Sequence, residues 1–476
     1  MDTSFFFYDL ETTGLNPREA RIMQFAGQRT DMNLELIGDP INILIKQSED
    51  CLPDPGAILI TGITPQKTLK DGITEDEFIK QFNTEIAIPG TIFIGYNSIS
   101  FDDEFIRFLL YRNLYDAYEW QWKEGRSKWD LLDIIRITRA LRPEGIKWPI
   151  DFEGKSNNQL EKLASENNIL HTKAHDAMSD VEALIGLAKL IKIKQPKLFD
   201  FMLSIRDKKS VSQLVLTSKQ FLYTSGSFSS DHEKTSIVSV VEGSQDSQGV
   251  LVYDLTLDPD NYKSLSVDDL VAMWQYNKDY TGPRLPIKKL QFNRCPSIAP
   301  LAVLRNEDAK RLKLDRKIID TNYKKLLNSQ ELITNILKAR KVIEINRENT
   351  NIKEFSSVES KLYDGFIGDE DKRNTVKVHS VNFDYEYPPD FNDKRLSQLY
   401  PLFVARNYPD QKTDEIDALW QKHKINSLLK GEDKSKMANY LKSIADIQLK
   451  PNLTSDQIYL MEELKLWAEA IMPVDF

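Results

Sequence analysis

The run Phe5-Phe6-Phe7-Tyr8-Asp9-Leu10-Glu11-Thr12-Thr13-Gly14 constrains the chain more than any other segment. Four large aromatic residues before Asp9 predict a buried β-strand, and this strand ends in two carboxylates. Alternate side chains of a strand share one face, so Asp9 and Glu11 are expected to point the same way. Two like charges at the edge of a core repel each other and are costly to desolvate, which favours a bound cation. Because Mg²⁺ prefers oxygen ligands and leaves room for phosphates, the pair predicts metal-assisted phosphoryl chemistry.

The length and charge of the chain limit the remaining possibilities. At 476 residues it exceeds what one hydrophobic core usually supports, so we predict two or three domains. The net charge of −9 argues against indiscriminate coating of nucleic acid, and a nucleic-acid site is expected to be a local basic groove. Neither a signal region nor a membrane-spanning run is visible, so a cytoplasmic protein is expected. Cys51 and Cys295 lie far apart and are predicted to be ordinary thiols.

Three regions follow one another, and we predict a domain for each: 1–193, 196–350 and 353–476. The first alternates strand-like runs with helical periods, which indicates an α/β domain with a central sheet. The second is predicted to be β-rich, with strand-like stretches at 211–223, 235–241, 249–255 and 288–292 and a helical addition at 307–348. The third is predicted to be helical, with segments at 414–429, 434–447 and 455–471.

A second acidic cluster, Phe101-Asp102-Asp103-Glu104, follows a short apolar strand and a polar loop. Asp102 begins a predicted helix. Acidic residues are common at helix starts because they suit the macrodipole, so this segment alone is compatible with a structural role.

A third cluster is His175-Asp176-Ala177-Met178-Ser179-Asp180. If a helix starts near Asp176, His175 lies on the preceding loop and Asp180 sits one turn in, where both approach the same small volume. A lone histidine is usually structural, and the residue types alone leave Asp103 and Asp176 open as alternative ligands.

In chain order the three clusters give Asp9-x-Glu11, Asp102 and His175-x4-Asp180. This pattern resembles the DEDDh exonucleases, the superfamily of ribonuclease T, oligoribonuclease and the polymerase proofreading subunits. A closer similarity, to bacterial exonuclease I, runs essentially the whole length. It rests on these stretches: Leu59-Ile60-Thr61-Gly62-Ile63-Thr64-Pro65-Gln66, Tyr96-Asn97, Phe101-Asp102-Asp103-Glu104, Tyr111-Arg112-Asn113, Trp129-Asp130-Leu131-Leu132-Asp133, Ala140-Leu141-Arg142-Pro143-Glu144-Gly145-Ile146, Ala174-His175-Asp176-Ala177-Met178, Asn293-Arg294-Cys295-Pro296 and Leu362-Tyr363-Asp364-Gly365-Phe366.

The resemblance to bacterial exonuclease I implies an α/β, ribonuclease H-like DEDDh domain with a mixed central sheet, an SH3-like middle domain and a helical C-terminal domain. It implies a monomeric 3′ to 5′ exodeoxyribonuclease that degrades single-stranded DNA processively to 5′-mononucleotides in repair and recombination. Asp9, Glu11, Asp102 and Asp180 would hold two Mg²⁺ ions, for which Mn²⁺ substitutes. His175 would take the proton of the attacking water.

Two rival functions remain open from the sequence. The first is an RNA 3′-end trimming exonuclease of the ribonuclease T or oligoribonuclease kind, although those enzymes are much shorter than this chain. The second is a non-catalytic single-strand-binding scaffold that has kept the fold. Loss of an acidic ligand would favour the scaffold, whereas all four acids are present.

Preference for single strands requires aromatic stacking and basic backbone contacts. We predict substrate contacts at Tyr96 and Phe101. Gln159 is a third candidate, because it fills a position where the exonuclease I family carries an arginine and would replace a charged phosphate donor by a neutral one. Trp120, Trp122 and Trp129 are further stacking candidates for which core packing is equally expected.

Basic stretches could line such a groove: Lys189, Lys192, Lys194, Lys197, Arg206-Asp207-Lys208-Lys209 and Lys288-Lys289. The resemblance also implies a protein partner, the acidic C-terminal tail of single-stranded-DNA-binding protein. Arg142 is the candidate for its terminal carboxylate, since charge-assisted hydrogen bonds would recognise that group.

Overall fold

The computed structural model describes residues 3–171, 176–275, 282–354 and 357–473. The chain divides into two compact units. The first comprises Met1–Arg126, Thr172–Glu182 and Ser356–Phe476, and the second comprises Ser127–His171 and Ala183–Phe355.

The described residues form ten strands: β1 (Ser4–Thr12), β2 (Ile22–Thr30), β3 (Leu36–Leu44), β4 (Thr91–Gly95), β5 (Ser127–Asp130), β6 (Phe221–Thr224), β7 (Thr235–Val240), β8 (Gly249–Asp254), β9 (Ile287–Gln291) and β10 (Ser297–Pro300). The α-helices of the same ranges are α1 (Pro55–Thr61), α2 (Pro65–Asp71), α3 (Glu75–Gln81), α4 (Asp102–Arg112), α5 (Leu131–Leu141), α6 (Leu160–Glu166), α7 (Ala177–Lys194), α8 (Pro196–Ser204), α9 (Lys208–Thr217), α10 (Val267–Trp274), α11 (Asn306–Arg311), α12 (Arg316–Leu327), α13 (Gln330–Glu354), α14 (Asp369–Val378), α15 (Lys394–Asn407), α16 (Asp414–Lys424), α17 (Lys436–Gln448) and α18 (Ser455–Ala470).

A mixed sheet forms the centre of the first unit, with the strands in the order β3-β2-β1-β4. The pairs β1/β2 and β2/β3 are antiparallel, whereas β1 and β4 run parallel. Strand side chains alternate between faces, and Phe6, Tyr8 and Leu10 of β1 share one core cluster with residues of α3 and α4. The predicted mixed sheet is therefore present.

The C-terminal helices of the first unit pack into two further cores. One joins the end of α4, through Phe108 and Tyr111, to residues of α14, α15 and α16. The other joins Met23 of β2 and Ile58 of α1 to α17 and α18. The region after residue 357 is helical, as the sequence predicts.

The second unit contains an antiparallel sheet in the order β10-β6-β7-β8-β9, with α10 packed against α13. The prediction of a strand-like stretch over 211–223 is wrong in its first part, because residues up to Thr217 belong to α9. Asp207 caps this helix by accepting hydrogen bonds from the backbone N–H groups of Lys209 and Ser210. Val211 and Val215, four residues apart, form its buried face.

Cys51 and Cys295 are both buried, and neither forms a disulfide. Among the helices that the structure describes, none has the length and apolarity needed to cross a membrane.

Candidate active site

Asp9 and Glu11 lie in the last part of β1, on the face opposite Tyr8 and Leu10. A bulge in the pairing with β2 follows Glu11. Both carboxylates lie at the carboxyl end of a central strand, where open α/β sheets present their functional groups.

Asp102 reaches the same edge of the sheet by way of β4. This strand is parallel to β1, with Phe7 opposite Ile94, so the two carboxyl ends lie side by side. The chain then turns at Asn97, whose φ of 63° is left-handed, and α4 begins at Asp102. Burial raises the pKa of Asp9 well above its usual value, and the negative charge of Asp102 raises it further.

Asp180 completes the cluster from the first turn of α7. One carboxylate oxygen from each of Asp9, Glu11 and Asp180 lies within 4.8 Å of the others. Burial, with a further contribution from the charge of Asp180, raises the pKa of Glu11 to about 8. The charges of Asp180 and Glu11 also raise the pKa of Asp9, so these carboxylates repel one another.

The neighbouring acids Asp103 and Asp176 have other partners. The Asp103 carboxylate is fully buried and accepts hydrogen bonds from the Tyr8 hydroxyl at 2.5 Å and from Gln121 Nε2 at 2.6 Å. Asp176 Oδ1 accepts a hydrogen bond of 3.3 Å from the backbone N–H of Ser179 and so caps α7. His175, the predicted base, lies outside the described residues.

The predicted aromatic contacts differ in exposure. Tyr96 and Phe101 are half-buried in the loop between β4 and α4, and the Phe101 ring lies 4.9 Å from that of Phe105. Trp122 is 63% exposed. Trp120 and Trp129 are buried, which agrees with core packing, the alternative that the sequence leaves open for them.

The remaining candidates for substrate and partner contacts belong to the second unit. Gln159 is exposed at the N-cap of α6, and its Oε1 accepts a hydrogen bond of 3.3 Å from Asn157 Nδ2. The Lys192 ammonium lies 5.9 Å from the centroid of the Phe199 ring. Arg142 Nη1 pairs with Asp308 Oδ2 at 3.3 Å.

A second buried carboxylate cluster in the first unit has no signal in the sequence. Glu359 pairs with Arg21 at 3.1 Å and with Arg406 at 2.7 Å. Asp50 pairs with Arg406 at 2.6 Å and with His423 at 3.1 Å. No local motif could reveal these pairs, since Arg21 and Glu359 are separated by 338 positions.

Family models cover most of the chain. Residues 6–188 match the model described as Exonuclease, 206–340 the Exonuclease I SH3-like domain and 356–471 the Exonuclease I C-terminal domain. Exodeoxyribonuclease I of Haemophilus influenzae is 39% identical over 438 residues, which cover 90% of this chain and 91% of the relative. The chain belongs to the exonuclease I family. The predicted succession of an exonuclease, an SH3-like and a C-terminal domain is confirmed.

Solved structures of the exonuclease I family share this fold. Escherichia coli exonuclease I in complex with a dA16 oligonucleotide is 33% identical, with a TM-score of 0.90 over 99% of this chain and 100% of that chain. Exonuclease I from Methylocaldum szegediense is 36% identical, with the same TM-score and coverage.

Proposed function

We propose that this chain degrades single-stranded DNA from the 3′ end to 5′-mononucleotides, with domains at 1–193, 196–350 and 353–476. The observation that carries the proposal is the convergence of the Asp9, Glu11 and Asp180 carboxylates within 4.8 Å of one another at the sheet edge, in a chain of the exonuclease I family. Complexes of the Escherichia coli relative with a dA16 oligonucleotide support the choice of a single-stranded DNA substrate.

The donor set fits hard divalent cations. Asp9, Glu11, Asp102 and Asp180 offer only carboxylate oxygens, the ligands that Mg²⁺ and Mn²⁺ favour. We assign two Mg²⁺ ions to these four residues, with Mn²⁺ as a substitute. A zinc-bound form of the Escherichia coli enzyme with single-stranded DNA supports a metal site in the family. When bound, such ions lower the pKa of a water molecule and neutralise charge on the phosphoryl oxygens.

We assign separate roles to the side chains of the site. The four carboxylates would hold the metal ions, and the half-buried Tyr96 and Phe101 are assigned to the terminal nucleotides. His175 is assigned the removal of a proton from the attacking water, because its usual pKa lies near neutral pH.

The proposal is tested with a 5′-labelled single-stranded DNA oligonucleotide in Mg²⁺, beside its duplex, its RNA counterpart, an EDTA control and Asp9→Ala. Stepwise shortening from the 3′ end that is confined to single-stranded DNA and lost with EDTA or Asp9→Ala is expected. Preferential shortening of RNA would instead support the trimming exonuclease, and binding without cleavage would support the scaffold.

The role of His175 requires a separate variant. His175→Ala is expected to lower kcat by about 100-fold, the usual contribution of a general base, while Mn²⁺ binding is unchanged. Equal kcat values for the variant and the parent would exclude His175 as the base.

A protein partner is also proposed, the C-terminal tail of single-stranded-DNA-binding protein. A solved complex named SSB/Exonuclease I supports it. Arg142, which lies with Arg305 and Arg311 around Asp308, is the assigned contact for the terminal carboxylate. Arg142→Ala should weaken binding of a labelled tail peptide in fluorescence anisotropy, and equal affinity for a scrambled peptide would refute the assignment.

A further inference from the structure

The Tyr8 side chain lies behind the carboxylate cluster, on the face of β1 opposite Asp9. It is 1% exposed, and its ring stacks on Phe25 with the centroids 6.1 Å apart. The Tyr8 hydroxyl donates a hydrogen bond of 2.5 Å to Asp103 Oδ1. The hydrogen bond from Tyr8 to Asp103 therefore joins β1 to α4 one residue away from Asp9 and from Asp102.

Asp103 requires donors on both oxygens because a buried carboxylate without partners is strongly destabilising. Tyr8 supplies one of them, and Gln121 Nε2 supplies the other at 2.6 Å. The Gln121 amide is itself oriented from its far side, where Oε1 accepts a hydrogen bond of 2.6 Å from Arg107 Nη2. Each group in this set thus fixes the orientation of the next.

The set continues along α4 and reaches the C-terminal region of the same unit. Arg107 Nη1 donates to Glu104 Oε1 at 2.6 Å, and the Tyr363 hydroxyl donates to Glu104 Oε2. The Tyr363 ring also packs edge-on against Phe108, with the centroids 5.8 Å apart. The first two turns of α4 are therefore held from several directions.

The start of α4 depends on these contacts, since Phe101 at its N-cap makes no side-chain hydrogen bond to the helix. We propose that Asp103 is a positioning residue for the metal site: its bonds to Tyr8 and Gln121 hold the first turn of α4 so that Asp102 faces Asp9. Asp103 touches neither metal nor substrate in this role. The inference rests on the proposed function, because it takes Asp102 as a metal ligand.

Groups that orient metal ligands from behind typically change metal affinity or activity by about 10- to 100-fold when removed. Two variants remove one donor each without adding charge, Tyr8→Phe and Gln121→Met. Tyr115→Phe is the matched control, because the Tyr115 hydroxyl also donates to a buried aspartate, Asp76, at 2.8 Å, away from the carboxylate cluster. Folding is checked for each variant by near-ultraviolet circular dichroism.

The decisive measurement is Mn²⁺ binding to the DNA-free protein by electron paramagnetic resonance, followed by kcat and KM on single-stranded DNA. Tyr8→Phe and Gln121→Met should each weaken Mn²⁺ binding and lower kcat by about tenfold with little change in KM. Their double variant should lose less than the sum, because both act through Asp103. Tyr115→Phe should lower the Tm and leave Mn²⁺ affinity within about twofold of the parent.

Parent-like Mn²⁺ affinity in folded Tyr8→Phe and in folded Gln121→Met would overturn the positioning role. If only one of the two folds, that variant decides the outcome alone. Failure of the parent itself to bind Mn²⁺ would overturn the proposed function, and the two failures are thereby distinguished.

Discussion

Two carboxylate clusters in the first unit have similar donor geometry and opposite electrostatics. Asp9, Glu11 and Asp180 form one of them, and Asp50, Glu359 and His423 form the other; each offers three ligand atoms within 4.8 Å. By distance alone either group could hold a metal ion.

The two clusters differ in the charged side chains that surround them. The second cluster contains two guanidinium groups, and Arg21 and Arg406 lower the pKa of Glu359 to about 2 despite its burial. In the first, the neighbouring acids add to burial and raise the pKa of Glu11 to about 8. A buried acid paired with arginine is satisfied within the fold, whereas acids that raise one another's pKa values repel, and a bound cation relieves that repulsion. Charge balance therefore distinguishes the cluster to which we assign metal binding from the arginine-paired one.

The strongest test of this distinction removes an acid from the cluster of Asp9, Glu11 and Asp180. Asp180→Ala should lower nuclease activity by at least about 1,000-fold, because loss of metal-based charge stabilisation costs several kcal/mol in the transition state. Circular dichroism and Tm should stay close to those of the parent. Asp176→Asn, which keeps a residue able to cap α7, is the control and should stay active; the reverse result would make Asp176 the ligand.

Removing an acid from the arginine-paired cluster around Glu359 should lower stability and leave activity unchanged. Glu359→Gln leaves the buried guanidinium groups of Arg21 and Arg406 without one counter-charge and should lower the free energy of unfolding by about 3 kcal/mol. Urea denaturation measures this loss, and Glu462→Gln, which removes an exposed pair with Lys465, should cause no measurable change. Activity per folded molecule should remain at the parent level, and an activity loss at full stability would contradict the structural role.

The sequence predicts the cluster of Asp9, Glu11 and Asp180 better than the cluster around Glu359, for a physical reason. Asp9 and Glu11 follow an aromatic strand, and Asp102 opens a helix after another strand, so local periodicity places all three at one sheet edge. Arg21 lies 338 positions from Glu359, so only tertiary packing brings this pair together, and no local pattern encodes it.

The sequence predictions are open or wrong where two environments favour the same residue types. Large aromatic side chains serve both nucleotide stacking and core packing, and the structure buries Trp120 and Trp129. Val211 and Val215 suit a strand, yet the capping of α9 by Asp207 and their spacing of four favour a helix. The role of His175 stays a prediction.

The stability of the metal-free protein should also depend on pH, because neighbouring acids repel Glu11. Glu11 has a folded-state pKa of about 8, raised above its unfolded value, so the folded state retains a proton that the unfolded state releases. The contribution of Glu11 to the free energy of unfolding is therefore fully present below about pH 4.5 and is lost as the pH rises towards 8. We expect a loss of about 2 kcal/mol after allowance for the partial exposure of this side chain. Thermal unfolding at pH 6 and pH 8 measures the difference, and Mg²⁺ should abolish most of it. A Tm that is equal at both pH values without Mg²⁺ would argue against repulsion of Glu11 by its neighbouring acids.

The smallest expected effect, and the most specific, is a gain in stability from an inactivating substitution. Glu11→Gln removes one charge from the repelling cluster and should raise the free energy of unfolding of the metal-free protein at pH 8 by about 1 kcal/mol, while nuclease activity is lost. The gain should be smaller at pH 6, where Glu11 is already largely protonated. Since Glu359→Gln is expected to destabilise, the same Glu-to-Gln change has opposite signs in the two clusters. Destabilisation by both substitutions in metal-free protein would mean that Glu11, like Glu359, is satisfied by partners within the fold, and the distinction by charge balance would fail.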